Sequence, residues 1–371
     1  MSSARPRVLF VSKPVVPPFR DGTKCLVRDV SLHLTRYAPA VMSTNERPPL
    51  SARAQGVELL PVYRSAGSYA PALTANARAA AYLVLRSRAD LWHFVFAPNP
   101  KSTAVGRVAR AIRRVPVVQT VASAPRQFVP DVFFGDVVVA QSRATEAAIR
   151  DAFIAASRPL PRLRIVPPPL GPLEPRTPSD VTKTIAPLDL ADGAPLFVYP
   201  GDLEVSTAAD TVARAAPLIE RALPGAVVVF ACRQKTPAAA HVEEELRARL
   251  AGRSVRFVRE TDLLALYART TAVLFPVDDL WGKVDLPIAI LEAMRLGVPV
   301  IAANVGPLLD LEGVVRVSPG DAGGLAAAAV TLATDDGHRA RVIDEARRYV
   351  DARHDAAVVA RAYETVYDEL L

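Results

Sequence analysis

The segment from Asp285 to Pro307 reads DLPIAILEAMRLGVPVIAANVGP and sets Asp285, Glu292 and Arg295 in a stretch otherwise apolar enough to be core. Asp285 is a candidate N-cap. Leu286 and Pro287 follow, with Pro287 suited to a first helical turn, and Gly297 ends the helix before Pro299 opens a strand. Helical spacing puts Ile288, Leu291, Glu292 and Arg295 on adjoining positions, so Glu292 borders the buried face. The positive pole of such a helix suits a phosphate. Glu292, about one turn further on, is placed to accept hydrogen bonds from a ribose diol. The competing reading is a solvated Glu292–Arg295 pair, worth a few tenths of a kcal/mol.

Other polar side chains stand where short apolar runs end. In the second half these are Gly201, Arg233 with Lys235, Arg259, Asp278 with Asp279, and Asn304 with Gly306. In the first half, Asp21, Gly22, Thr23 and Lys24 form a turn that runs into a helix start. His93 in LWHFVFA lies near a strand end, although a lone histidine on an apolar strand is more often a satisfied core residue.

The elements that must carry these residues follow from periodicity. Short β-branched runs at 7–12, 38–44, 57–63, 91–97, 115–121, 136–141 and 163–168 alternate with helical stretches at 23–36, 72–88, 102–113 and 143–157. The second half repeats the pattern, with strands at 196–200, 226–231, 255–260, 272–277, 298–303 and 314–319. Helices are expected there at 207–222, 237–251, 261–269, 287–296, 322–334 and 337–350. This alternation signals parallel βαβ units. The Pro-rich stretch 167–195 shows no clear period and reads as a linker. The expected fold class is therefore α/β, with two doubly wound Rossmann-like domains. Open α/β sheets bind ligands beyond the carboxyl ends of their strands, so two such domains facing across a cleft would hold the main site there.

Composition narrows the function. The 371 residues suffice for two domains. No run of about 18 apolar residues could span a bilayer, and VLFV is too short for a signal-peptide core, so a cytoplasmic protein is expected. Two cysteines and five scattered histidines offer no disulfide framework and no metal-ligand spacing, so no metal is expected. Residues 1–180 hold 25 Lys and Arg against 11 Asp and Glu, and residues 181–371 hold 20 against 27. The basic first half could attract an anionic substrate, an acidic membrane surface or nucleic acid. Arginines spread over many elements without interleaved aromatics argue against nucleic acid.

Residues 262–328, DLLALYARTTAVLFPVDDLWGKVDLPIAILEAMRLGVPVIAANVGPLLDLEGVVRVSPGDAGGLAAAA, resemble the nucleotide-binding domain of family 4 glycosyltransferases with the GT-B fold. LFVYPGDLEVSTAADTVARA (196–215) resembles the opening of that domain, and VLFVSKPVVPPFRDGTKCLVRDVSLHL (8–34) its partner domain's first strand, loop and helix. AYETVYDELL resembles the helix that returns to the first domain. The resemblance implies an acceptor-binding domain at 1–172 plus 356–371, a linker at 173–195 and a nucleotide-sugar-binding domain at 196–355.

It also implies retaining, metal-independent hexosyl transfer from a nucleotide sugar, with UDP or GDP as carrier and no other cofactor. The acceptor would be a glycan, glycolipid or small molecule, and the basic first half suggests peripheral contact at an anionic membrane. Glu292 aligns with the family glutamate that holds the ribose. The preceding family glutamate falls at Val284, with Asp285 one place along as a substitute sugar ligand. The phosphate-binding arginine position is Asp202 and the following lysine falls at about Thr207. Arg233, Lys235, Arg259 and Lys283 are the replacement cations, while Gly22 and Lys24 approach the donor from the first domain. The family histidine is Ala122, which leaves His93 as a substitute for acceptor activation.

Two other readings follow from those departures. One is a GT-B protein without turnover that binds a nucleotide, glycan or protein partner. The other is a different GT-B chemistry, epimerisation or phosphorolysis, for which no convincing acid/base set is visible.

Overall fold

The computed structural model describes residues 5–17, 19, 21–45, 50, 56–65, 73–234 and 236–371. Two compact units emerge. The first comprises Met1–Pro172, Trp281–Pro287 and Arg353–Leu371, and the second Leu173–Leu280 and Ile288–Ala352.

The first unit runs β1 (Arg7–Val11), α1 (Gly22–His33), β2 (Ala38–Thr44), β3 (Glu58–Tyr63), α2 (Leu73–Leu85), β4 (Leu91–Phe96), α3 (Pro100–Arg113), β5 (Val117–Val121), β6 (Val137–Ala140), α4 (Arg143–Ala155) and β7 (Arg162–Ile165). Its seven strands pair in parallel in the order β3-β2-β1-β4-β5-β6-β7. The central strands are apolar on both faces because helices cover both faces. Val8 and Phe10 of β1 pack with Leu26, Val27 and Val30 of α1, whereas Leu9 and Val11 pack with Leu83 of α2 and Ala109 of α3. Val138 and Ala140 continue that second layer against Ile149 and Phe153 of α4.

The second unit runs α5 (Pro178–Ile185), β8 (Leu196–Tyr199), α6 (Ala208–Ala222), β9 (Val227–Ala231), α7 (Pro237–Arg249), β10 (Val255–Val258), α8 (Leu263–Tyr267), β11 (Ala272–Phe275), α9 (Ile288–Leu296), β12 (Val300–Ala303), β13 (Val315–Val317) and α10 (Ala322–Thr334). α11 (Asp336–Arg353) leads out of it, and α12 (Ala356–Asp368) lies in the first unit, where Val359, Tyr363 and Tyr367 join the layer under α1. The six strands are parallel, ordered β10-β9-β8-β11-β12-β13.

Strands and helices fall within a few residues of the periodicity reading. The Pro-rich stretch carries α5, which no long apolar period announces. Local chemistry builds it: Pro178 sits in the first turn, and Thr177 and Asp180 form a reciprocal capping box.

Each sheet reverses its strand order once, between β1 and β4 in the first unit and between β8 and β11 in the second. These switch points are where open α/β sheets admit ligands, so the loops after β1, β4, β8 and β11 frame the chemistry.

Candidate functional site

In the second unit, the loop after β8 contains Gly201. A Cβ on that residue would stand 2.1 Å from Cζ of the buried Tyr199 ring. The Tyr199 hydroxyl donates to the Asp202 carbonyl at 2.6 Å, which folds the loop back over the strand. Glycine is required there by the ring beneath it. Asp202 is itself buried.

The start of α6 carries a carboxylate from its own chain. Thr207 donates its N–H to Asp278 Oδ1 at 2.9 Å and its hydroxyl to Asp278 Oδ2 at 2.7 Å. Asp278 belongs to the loop after β11, so the pair bridges the two loops of the switch point. A carboxylate at a helix N-terminus is stabilised by the helix dipole and the unsatisfied N–H groups there. Thr207 thus serves a self-contained anion rather than supplying a positive charge.

Of the expected cations, Arg233 is exposed beyond β9, while Lys235 lies outside the described residues. Arg259, beyond β10, makes a two-pronged contact with Glu243 of α7, at 3.1 Å through Nε and 2.9 Å through an Nη. Glu243 also accepts from Arg247 at 2.9 Å and Gln234 at 2.8 Å. Burial alone would raise its carboxyl, but the bonds from Arg259, Arg247 and Gln234 hold it below the ordinary glutamate range. Arg259 is therefore committed to a structural cluster, which its position at a strand end did not reveal.

Glu292 lies on α9 between fully buried neighbours. Leu291, Ala293 and Met294 have no exposed surface, while Glu292 stays half-buried. Tyr267 of α8 packs close by and donates to the Ala289 carbonyl at 3.1 Å. Its phenol is pushed well above the ordinary tyrosine range by burial first and by the Glu292 charge second. Arg295 bridges to Asp351 at 3.1 Å.

Segment Trp281–Pro287 packs within the first unit. Asp285, only 1% exposed, accepts from Ser142 Oγ at 2.6 Å. Ser142 is also the N-cap of α4 and accepts the Thr145 N–H at 3.1 Å. The indole of Trp281 lies under the Arg126 guanidinium, 4.2 Å from the ring centroid. Val284 fills the space beside Gly22, where an added Cβ would stand 2.4 Å from Val284 Cγ1. Gly22 is thus needed for the approach of Val284. Leu286 is buried, Pro287 half-buried, and the Lys283 ammonium nitrogen is shielded from solvent.

Asp21 caps α1 by accepting the Thr23 and Lys24 N–H groups at 3.0 and 3.2 Å, and it pairs with Lys13. Lys24 donates to the Val16 carbonyl at 3.3 Å, and burial lowers its ammonium pKa.

His93 is mid-strand in β4 and wholly buried. One ring nitrogen meets Tyr367 Oη at 2.8 Å and the other Thr120 Oγ1 at 2.7 Å. Burial pushes its pKa down to about 3. Both nitrogens are used inside the core, so the side chain offers no proton acceptor to a substrate. That is the satisfied-core reading of a strand histidine.

Sequence reasoning passed over Ser142, Gln141, Arg126 and the Asp278–Thr207 pair. Ser142 could be seen as a helix N-cap, but its partner lies 143 residues away. Gln141, buried at the carboxyl end of β6, leaves both amide atoms without a hydrogen bond. Among the described residues no group of three or more His, Cys, Asp or Glu is arranged to hold a metal ion.

Residues 194–335 match the family described as glycosyl transferases group 1. No match is found among curated proteins. The whole chain is similar in structure to Anabaena HepE solved with UDP and glucose, at 18% identity and TM-score 0.69, covering 98% of this chain and 99% of that one. It is similar to sucrose-phosphate synthase of Thermosynechococcus elongatus at 18% identity and TM-score 0.72, covering 99% of each. An E. coli trehalose-6-phosphate structure bound with UDP-2-fluoro glucose gives 13% identity and TM-score 0.71, covering 98% of this chain and 99% of that one. These likenesses show the GT-B fold.

Proposed function

For a GT-B chain whose residues 194–335 form a group 1 glycosyltransferase domain, we propose sugar transfer from a nucleoside diphosphate sugar, UDP or GDP, to a glycan, glycolipid or small-molecule hydroxyl. The observation that carries this reading is Glu292, a carboxylate kept half-open on a helix whose neighbours are sealed in the core. A half-open carboxylate on a helix otherwise sealed in the core is placed to accept hydrogen bonds from the hydroxyls of a ligand. A ribose diol would give it two hydrogen-bond donors.

In the proposed step the anomeric C–O bond to the diphosphate breaks and a bond to the acceptor oxygen forms on the same face. The acceptor proton passes to the leaving phosphate oxygen. The donor thus supplies its own base, consistent with a His93 whose nitrogens are both occupied. The protein's part is position and electrostatics, and no metal ion is required. Arg233, exposed beyond β9, is the cation assigned to the diphosphate. Arg259 holds Glu243, and Asp285 holds Ser142 and its own loop rather than the sugar.

Titration calorimetry with UDP, GDP and their sugars tests this. Wild type binds one of them, and Glu292→Ala weakens binding roughly 10- to 100-fold, the value of a charged hydrogen-bonding pair. No heat with any nucleotide would overturn it.

One observation favours a second reading, a binding protein without turnover. The α6 N-terminus, where a diphosphate would need positive charge, already holds Asp278. Sugar transfer or donor hydrolysis that Glu292→Ala abolishes would exclude it.

A further inference from the structure

Residues 59–130 hold ten basic side chains and a single acid, Asp90. They include α2 and α3, neighbouring helices on one face of the first sheet. The ends of the two are tied together by Arg113, which donates to the Val84 and Ser87 carbonyls at 3.2 and 2.8 Å. Asp90, just before β4, is engaged by the Arg7 N–H, which it accepts at 2.7 Å.

The pair exposes large aliphatic side chains toward the C-terminal ends of both helices. Leu85 of α2 is 75% exposed, and Val108 and Ile112, one turn apart on α3, are 60% and 58% exposed. Most of the remaining outward positions, Thr74, Ala77, Ala81, Ala104 and Ala111, are short. Around them stand exposed Arg86, Arg88, Lys101 and Arg114, none of which has an ion-pair partner among the described residues. A groove of about 600 Å³ beside α3 is lined by Arg107, Arg114 and the Arg110–Asp136 ion pair.

We propose that the α2–α3 face docks on an anionic lipid bilayer, with Leu85, Val108 and Ile112 entering the acyl boundary and the surrounding cations meeting lipid phosphates. Short side chains between the three aliphatics let the helices lie flat in the interface. The flanking arginines can lay their apolar stems along it while their guanidinium groups reach the headgroups. One-signed charge with no acid on either helix matches an anionic leaflet. Nucleic acid is disfavoured because among the described residues this face exposes no aromatic side chain for base stacking. The proposal does not depend on the sugar-transfer reading.

The test is co-sedimentation of the full chain with phosphatidylcholine vesicles, with and without phosphatidylglycerol. Wild type partitions onto the anionic vesicles only, and about 0.5 M salt lowers partition at least fivefold. Val108→Glu combined with Ile112→Glu lowers partition at least about tenfold, and Arg86→Glu with Arg88→Glu several-fold, with unchanged melting temperature. Ile154→Glu is the matched control on α4, where Ile154 is 62% exposed, and it leaves partition unchanged. Absence of partition, equal partition of the Val108/Ile112 variant, or equal loss with Ile154→Glu would overturn the proposal. So would displacement from vesicles by a short oligonucleotide, which would assign the face to nucleic acid.

Discussion

The two units share a plan and differ in what they place where the sheet order reverses. In the first, the loop after β1 gathers Lys13 and Lys24 around Asp21, whose carboxylate caps a helix. In the second, the loops after β8 and β11 bring Asp278 to the start of α6 and keep Asp202 buried close by in sequence. Their cores differ too. The first buries a neutral histidine between two hydroxyls, and the second buries a glutamate beneath two arginines. The same parallel βαβ scaffold therefore tolerates opposite electrostatics at equivalent places, because loops and buried polar groups need only be satisfied locally.

The largest test of this comparison replaces the two close-approach glycines. Gly201→Ala pushes a Cβ into the buried Tyr199 ring and is expected to destabilise the chain by about 3 kcal/mol. Gly22→Ala sets a Cβ 2.4 Å from Val284 Cγ1 and 3.1 Å from Cγ2, should cost about 1 kcal/mol, and should be rescued by Val284→Ala. Thermal unfolding of the three variants decides. Equal losses at Gly201 and Gly22 would mean the two loops are equally rigid.

The buried histidine and glutamate separate by pH. His93 folds neutral with a pKa near 3, so its contribution is complete above the unfolded value of about 6.5 and declines as pH falls toward 3. The slope is about 1.4 kcal/mol per pH unit. Glu243, held below the ordinary range, loses its contribution only as pH falls below about 4.5. Between about 4.5 and 6.5 the His93 contribution alone of the two should change. His93→Gln should flatten the pH dependence of denaturant midpoints in that window, and Glu243→Gln should leave it unaltered.

The smallest expected effect concerns charge at the α6 N-terminus. Asp278→Asn keeps the shape and removes the resident anion, and should tighten UDP binding about fivefold, roughly 1 kcal/mol. Calorimetry on this variant reports whether the site is a weakened diphosphate pocket. Unchanged or weaker affinity would mean that Asp278 does not compete with the donor.

Most of the architecture was legible because parallel strands buried on both faces write near-continuous apolar runs, and their crossover helices write a 3.6-residue period. α5 was not, since its eight residues owe their helix to caps rather than to a period. Glu292 stands out in the sequence for a related reason: a carboxylate amid Leu291, Ala293 and Met294 interrupts an otherwise apolar pattern. His93 had two readings in the sequence, and its two hydroxyl partners from distant segments, which its isolation there hides, favour the core one.

The amino-acid sequence by itself determined the alternation of strands and helices, the two sheets and the helix that carries Glu292, since these follow from local period and capping. Tertiary structure alone decided which charged groups are engaged. Arg259 meets Glu243, Asp278 meets Thr207, and Asp285 meets Ser142. Each pairing joins residues from 16 to 143 positions apart. Hydrogen bonds of that range are fixed by how strand ends and loops converge, and local pattern carries no record of it.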